Sequence, residues 1–171
     1  MPNLEFIEKR TSADIVSVTW TDLFTTKYDV YDLFFDMSYN TAGYLDMYLL
    51  DSSGNVLTGS YYDVAVLEMQ SNASEHDYYY ANSTIWRDMG GYLNNINAGY
   101  GMKMTIFNPT DTDTWTYALT TSNSPLTSTM FGTKGIACYT ATDGVHGLKV
   151  QSSSGGSTTF DYLNVSVYGY K

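Results

Sequence analysis

From about residue 4 onward, short runs of β-branched and aromatic residues alternate with clusters of turn formers, and no stretch sustains a helical period. The closing stretch TFDYLNVSVYGYK shows the pattern most plainly, with Leu163, Val165 and Val167 pointing one way and Tyr162, Asn164 and Ser166 the other. In GMKMTIFNPTDTDTWTYALTTSN, a strand over Met102 to Phe107 meets a polar corner at Asn108-Pro109-Thr110-Asp111 and returns through Trp115 to Thr121. Trp115, Tyr117 and Leu119 share one face of that return strand, and Thr116, Ala118 and Thr120 share the other. A further strand runs from Phe131 to Thr140, where Gly132 and Gly135 mark bulges or close backbone approach. YLDMYLLDSSGNVLTGSYYDV predicts a hairpin turning at Ser52-Ser53-Gly54-Asn55. The polar stretch from Ser71 to Gly99 breaks the pattern and predicts loops around a short piece at Thr84 to Asp88; SSSGGS, residues 152 to 157, predicts a hairpin loop. Together these elements predict an all-β chain folded as a single antiparallel β-sandwich, jelly-roll-like.

The strand YDVYDLFFDM carries Asp29, Asp32 and Asp36. Asp32 and Asp36 share a face but stand about 13 Å apart at roughly 3.3 Å per residue, too far to share one ion. Asp29 falls at the strand's entry on the side of Tyr31, Leu33, Phe35 and Met37, the expected core face. A solvated or interface face is therefore the expectation for Asp32 and Asp36, with a functional carboxylate cluster as the alternative. Asp46 or Asp51 in the following strand keeps a calcium site open, and no other cofactor is expected.

Composition narrows the function classes. Eighteen Asp plus Glu against 8 Lys plus Arg give a formal charge of −10, which repels a phosphate backbone and argues against nucleic acid as a partner. Seventeen tyrosines suit half-buried sheet faces, oligomer interfaces and sugar-binding surfaces alike. Cys138 is the only cysteine, so no intrachain disulfide or cysteine-based zinc site can form; its apolar neighbours in GIACYT predict a buried, inert thiol. MPNLEFIEKR lacks the basic start and apolar run of a signal peptide, and no apolar run is long enough to span a membrane. Residues 1–10 are expected as an N-terminal anchor through Leu4, Phe6 and Ile7, ahead of a sandwich domain over 11–171.

No catalytic motif emerges. His76 and His146 lie in polar settings without a nucleophile elbow, and no spacing singles out a pair among Glu68, Glu75, Asp88 and Asp161. The expectation is a protein that is not an enzyme. Tyr78, Tyr79 and Tyr80, with Asn72, Asn82 and Trp86 nearby, form the leading surface candidate. Such rings stack on sugar faces or pack against a sister subunit.

Three stretches, YDVYDLFFDMSYNTAGYLDMYLLDSSGNVL, YGMKMTIFNPTDTDTWTYAL and FGTKGIACYTATDGVHGLKVQSSSGGSTTFDYLNVSVYGYK, together resemble a set of tailed-phage virion structural proteins, many from marine and cyanobacterial phages. The shared features are a Tyr-Asp-x-Tyr strand start, a Ser-Gly turn, an Ile-Phe-Asn-Pro corner before an aromatic strand, and a closing strand ending in Tyr-Gly. The resemblance implies a jelly-roll-type sandwich in the virion, as a capsid decoration, knob or fibre head, bound to other virion proteins and commonly oligomeric, with a trimer favoured. It carries over no catalytic residues. The expected function is thus a non-enzymatic virion structural protein assembled through aromatic-rich surfaces. The alternative is a carbohydrate-binding or host receptor-binding module that grips surface glycans, and a glycosidase or depolymerase is the third reading.

Overall fold

The computed structural model describes residues 4–71, 75–90, 99–125, 130–152 and 159–170. These hold eleven strands and no helix: β1 (Glu5–Ser12), β2 (Ser17–Trp20), β3 (Val30–Tyr39), β4 (Leu45–Leu50), β5 (Tyr62–Gln70), β6 (Glu75–Ser83), β7 (Tyr100–Phe107), β8 (Thr116–Pro125), β9 (Met130–Tyr139), β10 (Gly147–Ser152) and β11 (Phe160–Tyr170). Eight of them make one sheet in the order β1-β11-β3-β7-β8-β9-β5-β6, and β2-β10-β4 make a second. All pairings are antiparallel. The expected all-β antiparallel sandwich is the observed fold, divided unevenly between eight strands and three.

Period-two alternation explains most of the core. Tyr31, Leu33, Phe35 and Met37 of β3, Met102, Met104 and Ile106 of β7, and Leu163, Val165 and Val167 of β11 are buried in one cluster with Met47 and Leu49 of β4 and Leu148 and Val150 of β10. Segments outside the strands complete it. Phe24 and Tyr28 set their rings edge-on to Tyr31, at 4.9 and 5.6 Å between centroids. On the opposite flank Trp86 exchanges both backbone hydrogen bonds with Met47, at 2.9 and 3.0 Å, and donates its indole N–H to the Cys138 carbonyl at 3.1 Å.

β8 turns its small residues inward. Thr116, Ala118 and Thr120 are buried, while Trp115, Tyr117 and Leu119 face solvent. The segment around Met89 lies close against β8, and the Thr120 hydroxyl donates to the Met89 carbonyl at 3.1 Å. Gly135 of β9 stands opposite Thr120 and Val66, and a Cβ there would come within 2.5 Å of Thr120 Oγ1. Close approach, not a bulge, is what Gly135 provides, because the β8–β9 register runs through it unbroken.

Several expectations change. The turn at Ser52 to Asn55 forms, with the Asp51 carboxylate accepting the N–H groups of Ser53 and Asn55 at 2.8 and 2.9 Å, but its arms pair only at the Leu50–Val56 bridge. Beyond that, β4 pairs with β10 and the chain crosses to the large sheet as β5. Residues 75–83, expected as loop, form the edge strand β6, paired with β5 from Met69–Glu75 to Tyr62–Ser83. Residues 5–10, expected as an anchor ahead of the sandwich, are part of the other edge strand, β1, paired with β11. Asn72, residues 91–98 of the expected loop and residues 153–157 of the expected hairpin loop lie outside the described residues.

Gly135→Ala should destabilise the fold by about 1–3 kcal/mol through overpacking against Thr120. Urea denaturation in a Thr120→Ala background should show a smaller cost for the same change, since the opposing hydroxyl is gone. Equal costs in both backgrounds would mean that the contact does not govern this position.

Candidate functional site

The tyrosine cluster divides at β6. Alternation sends Tyr79 to the outer face, where it is 81% exposed, and turns Tyr78 and Tyr80 to the inner face, where they pack against the core. Trp86, grouped with them on sequence, is fully buried. Sequence proximity therefore marks two surfaces rather than one.

On the outer face, strand register aligns Leu119 of β8, Ile136 of β9, Ala65 of β5 and Tyr79 of β6 in one cross-strand row. Leu119 is 50% and Ile136 60% exposed, and with Ala65, Leu67 and Tyr79 they line a shallow open hollow. The next row reads Thr121, Lys134, Leu67, Asp77. Tyr117, Met69 and Met130, also exposed, extend the apolar surface along β8, β5 and β9. Side chains of this size at successive exposed positions make a continuous apolar patch rather than scattered surface hydrophobics. The sequence contained the signal in the face shared by Trp115, Tyr117 and Leu119; which face pointed outward was not readable from alternation alone.

The inner side of β6 is different in chemistry. Tyr78 donates its hydroxyl to Glu68, and Tyr80 donates to Asp88 Oδ2 at 2.6 Å. Tyr44, Asp46, Tyr78, Tyr80, Arg87 and Asp88 line a cavity of about 350 Å³ between β6, β4 and the chain following Trp86. Asp88 holds a left-handed backbone, φ 56°, a conformation acidic residues tolerate better than most, and points its N–H at Asp46 Oδ1, 3.3 Å away. Burial pushes the Asp46 carboxyl up to about 6; the Asp88 N–H and the Arg87 guanidinium pull it down, and the Asp88 carboxylate pushes it further up. Burial also raises Asp88, against the hydrogen bond from Tyr80 and the charge of Arg87. Tyr44, Asp46 and Arg87 were not singled out on sequence as neighbours of the tyrosines, because the strands that carry them belong to different sheets or to none.

The remaining candidates separate. Asp32 is buried on the outer side of β3, ion-paired to Lys103 at 2.9 Å and accepting from Thr105 at 2.5 Å, so the expected solvated role holds for Asp36 but not for Asp32. Asp36 accepts from Tyr162 and Asn164, Asp51 holds its turn, and Asp46 belongs to the other sheet. The calcium set considered on sequence is thus not assembled, and no group of three metal-binding side chains occurs among the described residues. His76 is exposed on β6, and Glu75 beside it is exposed too. His146 serves through its backbone, bonded to Leu50 and Phe24. Cys138 is half-buried on the outer face rather than enclosed, and burial, followed by the Asp63 charge, pushes its thiol up to about 11. Leu4, just ahead of β1, and Phe6 on it are exposed, with the Phe6 ring edge-on to Tyr168 at 5.4 Å, while Ile7 packs on the core. No described helix is long and apolar enough to cross a membrane.

Trp86→Ala should cost about 3–5 kcal/mol in chemical denaturation, whereas Tyr79→Ala should stay within about 0.5 kcal/mol, reversing any reading that places both in one surface site. A second expectation concerns pH. Because the Asp46 carboxyl is raised in the folded protein, the native state holds its proton more tightly than the unfolded chain; the stability this confers is full below pH 4 and is lost as pH rises through about 6. Asp46→Asn should therefore raise the melting temperature at pH 7.5, by an amount on the order of 2 kcal/mol in stability, with the gain vanishing by pH 4. A gain that is the same at both pH values would show that the charge on Asp46 is not its source.

Comparison with protein-family models, with curated proteins and with solved structures found no match to this chain.

Proposed function

We propose that the chain is a non-enzymatic structural protein of a tailed-phage virion, of the decoration, knob or fibre-head type, which assembles with a second copy of itself through the outer face of its large sheet. The observation that carries the assembly is the exposed row Leu119, Ile136, Ala65, Tyr79. Apolar and aromatic side chains on a broad sheet face gain most of their free energy by being covered, at roughly 25 cal/mol per Å². The virion setting is supported by the resemblance of the strand and turn pattern.

The adjoining row supports a two-fold pairing. Lys134 and Asp77 flank Leu67 on either side, so a two-fold axis at Leu67 brings the lysine of each copy to the aspartate of the other. A trimer, the assembly that the phage resemblance favours, would need two different patches to meet and finds no such complementarity in this row. Other virion proteins are then bound through remaining surfaces, with β1 and β6, the two edges of the large sheet among the described residues, as candidates for strand addition.

Sedimentation velocity at tens of micromolar should give a dimer for the native chain and a monomer for Ile136→Lys or Leu119→Lys, with the far-ultraviolet circular dichroism of each variant unchanged. A native monomer, or variants that assemble as the parent does, would refute assembly through this face. Mass spectrometry of purified particles tests the virion setting, which fails if the protein is missing from intact virions.

A further inference from the structure

The geometry points to a second site, the cavity on the inner side of β6, as a binding pocket for a neutral sugar ring that presents neighbouring hydroxyl groups to Asp46 and Asp88. It is independent of the outer face: Tyr44, Asp46, Tyr78, Tyr80, Arg87 and Asp88 line it, and none belongs to the exposed apolar row.

The unused hydrogen-bonding capacity of the pocket selects the ligand. Asp46 is only 6% exposed, and one of its oxygens accepts from the Asp88 N–H; among the described residues the other, Oδ2, has no partner. Asp88, equally buried, spends Oδ2 on Tyr80 and leaves Oδ1 without a partner among the described residues. Two carboxylates, tied together by a left-handed residue whose N–H bonds one of them, leave acceptor positions open toward the cavity. A ligand that donates two hydrogen bonds would use both. Arg87, which makes no ion pair among the described residues, adds donors for ring or hydroxyl oxygens.

Other ligand classes fit less well. An anion meets two carboxylates against one guanidinium. A divalent cation finds two carboxylates and a cationic neighbour, short of the six to eight oxygens that calcium takes. An organic ammonium would compete with Arg87, whose guanidinium already stands 5.6 Å from the Tyr80 ring centroid. A polyol is neutral, donates and accepts at adjacent carbons, and offers an apolar ring face to the walls formed by Tyr44 and Tyr78. At about 350 Å³ the cavity has room for a single sugar ring, which means a terminal residue of a glycan.

The test is a titration of the isotope-labelled full chain with methyl glycosides of glucose, galactose and mannose into the tens of millimolar, followed by amide chemical shifts. Saturable shifts centred on Asp46, Arg87 and Asp88 with at least one glycoside are expected. Asp88→Asn, which keeps a side chain suited to the left-handed backbone, should weaken binding about tenfold or more, and Arg87→Met should weaken it as well. Leu119→Lys should leave it unchanged, so that failure of outer-face assembly and failure of this site are told apart. The inference is overturned if none of the three glycosides moves these amides, if Asp88→Asn binds as the parent does, or if calcium chloride alone produces the same shifts, which would make the pocket a cation site.

Discussion

Each strand of a sheet in water has one face to bury, and three strands cannot cover eight. Most of what distinguishes this protein follows from that mismatch. The small sheet β2-β10-β4 contributes Met47, Leu49, Leu148 and Val150 to the core over the middle of the large sheet. Beyond its edges the cover is improvised from irregular chain: Phe24 and Tyr28 ahead of β3, and Trp86 and Met89 after β6. Irregular chain brings backbone polar groups into the interior, and each must find a partner. That is why Trp86 pairs with the free edge of β4, why Thr120 faces inward to meet the Met89 carbonyl, and why Ser122 donates to Gly90 at 3.0 Å. The small inner side chains of β8 and the glycine opposite them in β9 make room for this inserted segment.

Where the improvised cover ends, chemistry begins. β6 lies beyond the reach of the small sheet, so its inner face is neither fully packed nor fully wet. The tyrosines there satisfy their hydroxyls on carboxylates, and the carboxylates of Asp46 and Asp88 are drawn out of water far enough to hold protons more tightly than usual. The outer face of the same strands has no cover among the described residues. One strand therefore carries two kinds of surface, apolar at Tyr79 and polar at Tyr78 and Tyr80, separated by a change of one residue in register.

Alternation makes much of this legible in the sequence itself. The core faces of β3, β7 and β11 follow directly from period-two patterning, as does the pairing of Trp115, Tyr117 and Leu119 on one side of β8. What alternation cannot decide is which side faces in when both are plausible: a face of Thr, Ala and Thr looks less core-like than one of Trp, Tyr and Leu, and only the packing of Met89 against β8 settles it. β6 was hidden for a related reason. Glu75, His76 and Asp77 look like loop, yet an edge strand with one solvated face and tyrosine on the other needs no apolar run. The polar cavity was illegible because Asp46 and Asp88 are 42 residues apart in the chain and meet only through the pairing of Trp86 with Met47. Hairpin signals also overreached at Asp51: the turn residues dictate the turn, but the burial of Tyr62, Val64 and Val66 carries the second arm to the other sheet.

Charge decides whether the bare outer face can be covered by a copy of itself. At a formal −10, two chains repel at long range, although salt at physiological strength limits that repulsion to about 8 Å. Contact is governed by local charge instead, and here the distribution is uneven. Of 8 lysines and arginines, Lys9, Lys103 and Lys134 fall in a single register row across the outer face, running Lys9, Ser166, Phe34, Lys103, Thr121, Lys134, Leu67, Asp77. Lys103 is ion-paired to Asp32 in the neighbouring row and is neutralised there. Lys134 has no such partner among the described ion pairs and lies at the border of the apolar row, beside Leu67 and one strand further from Asp77. A chain of net negative charge that carries a lysine-bordered apolar patch is least repelled by a second copy where that patch is covered. In the proposed assembly, that combination would direct self-association to this face without requiring strong contacts elsewhere.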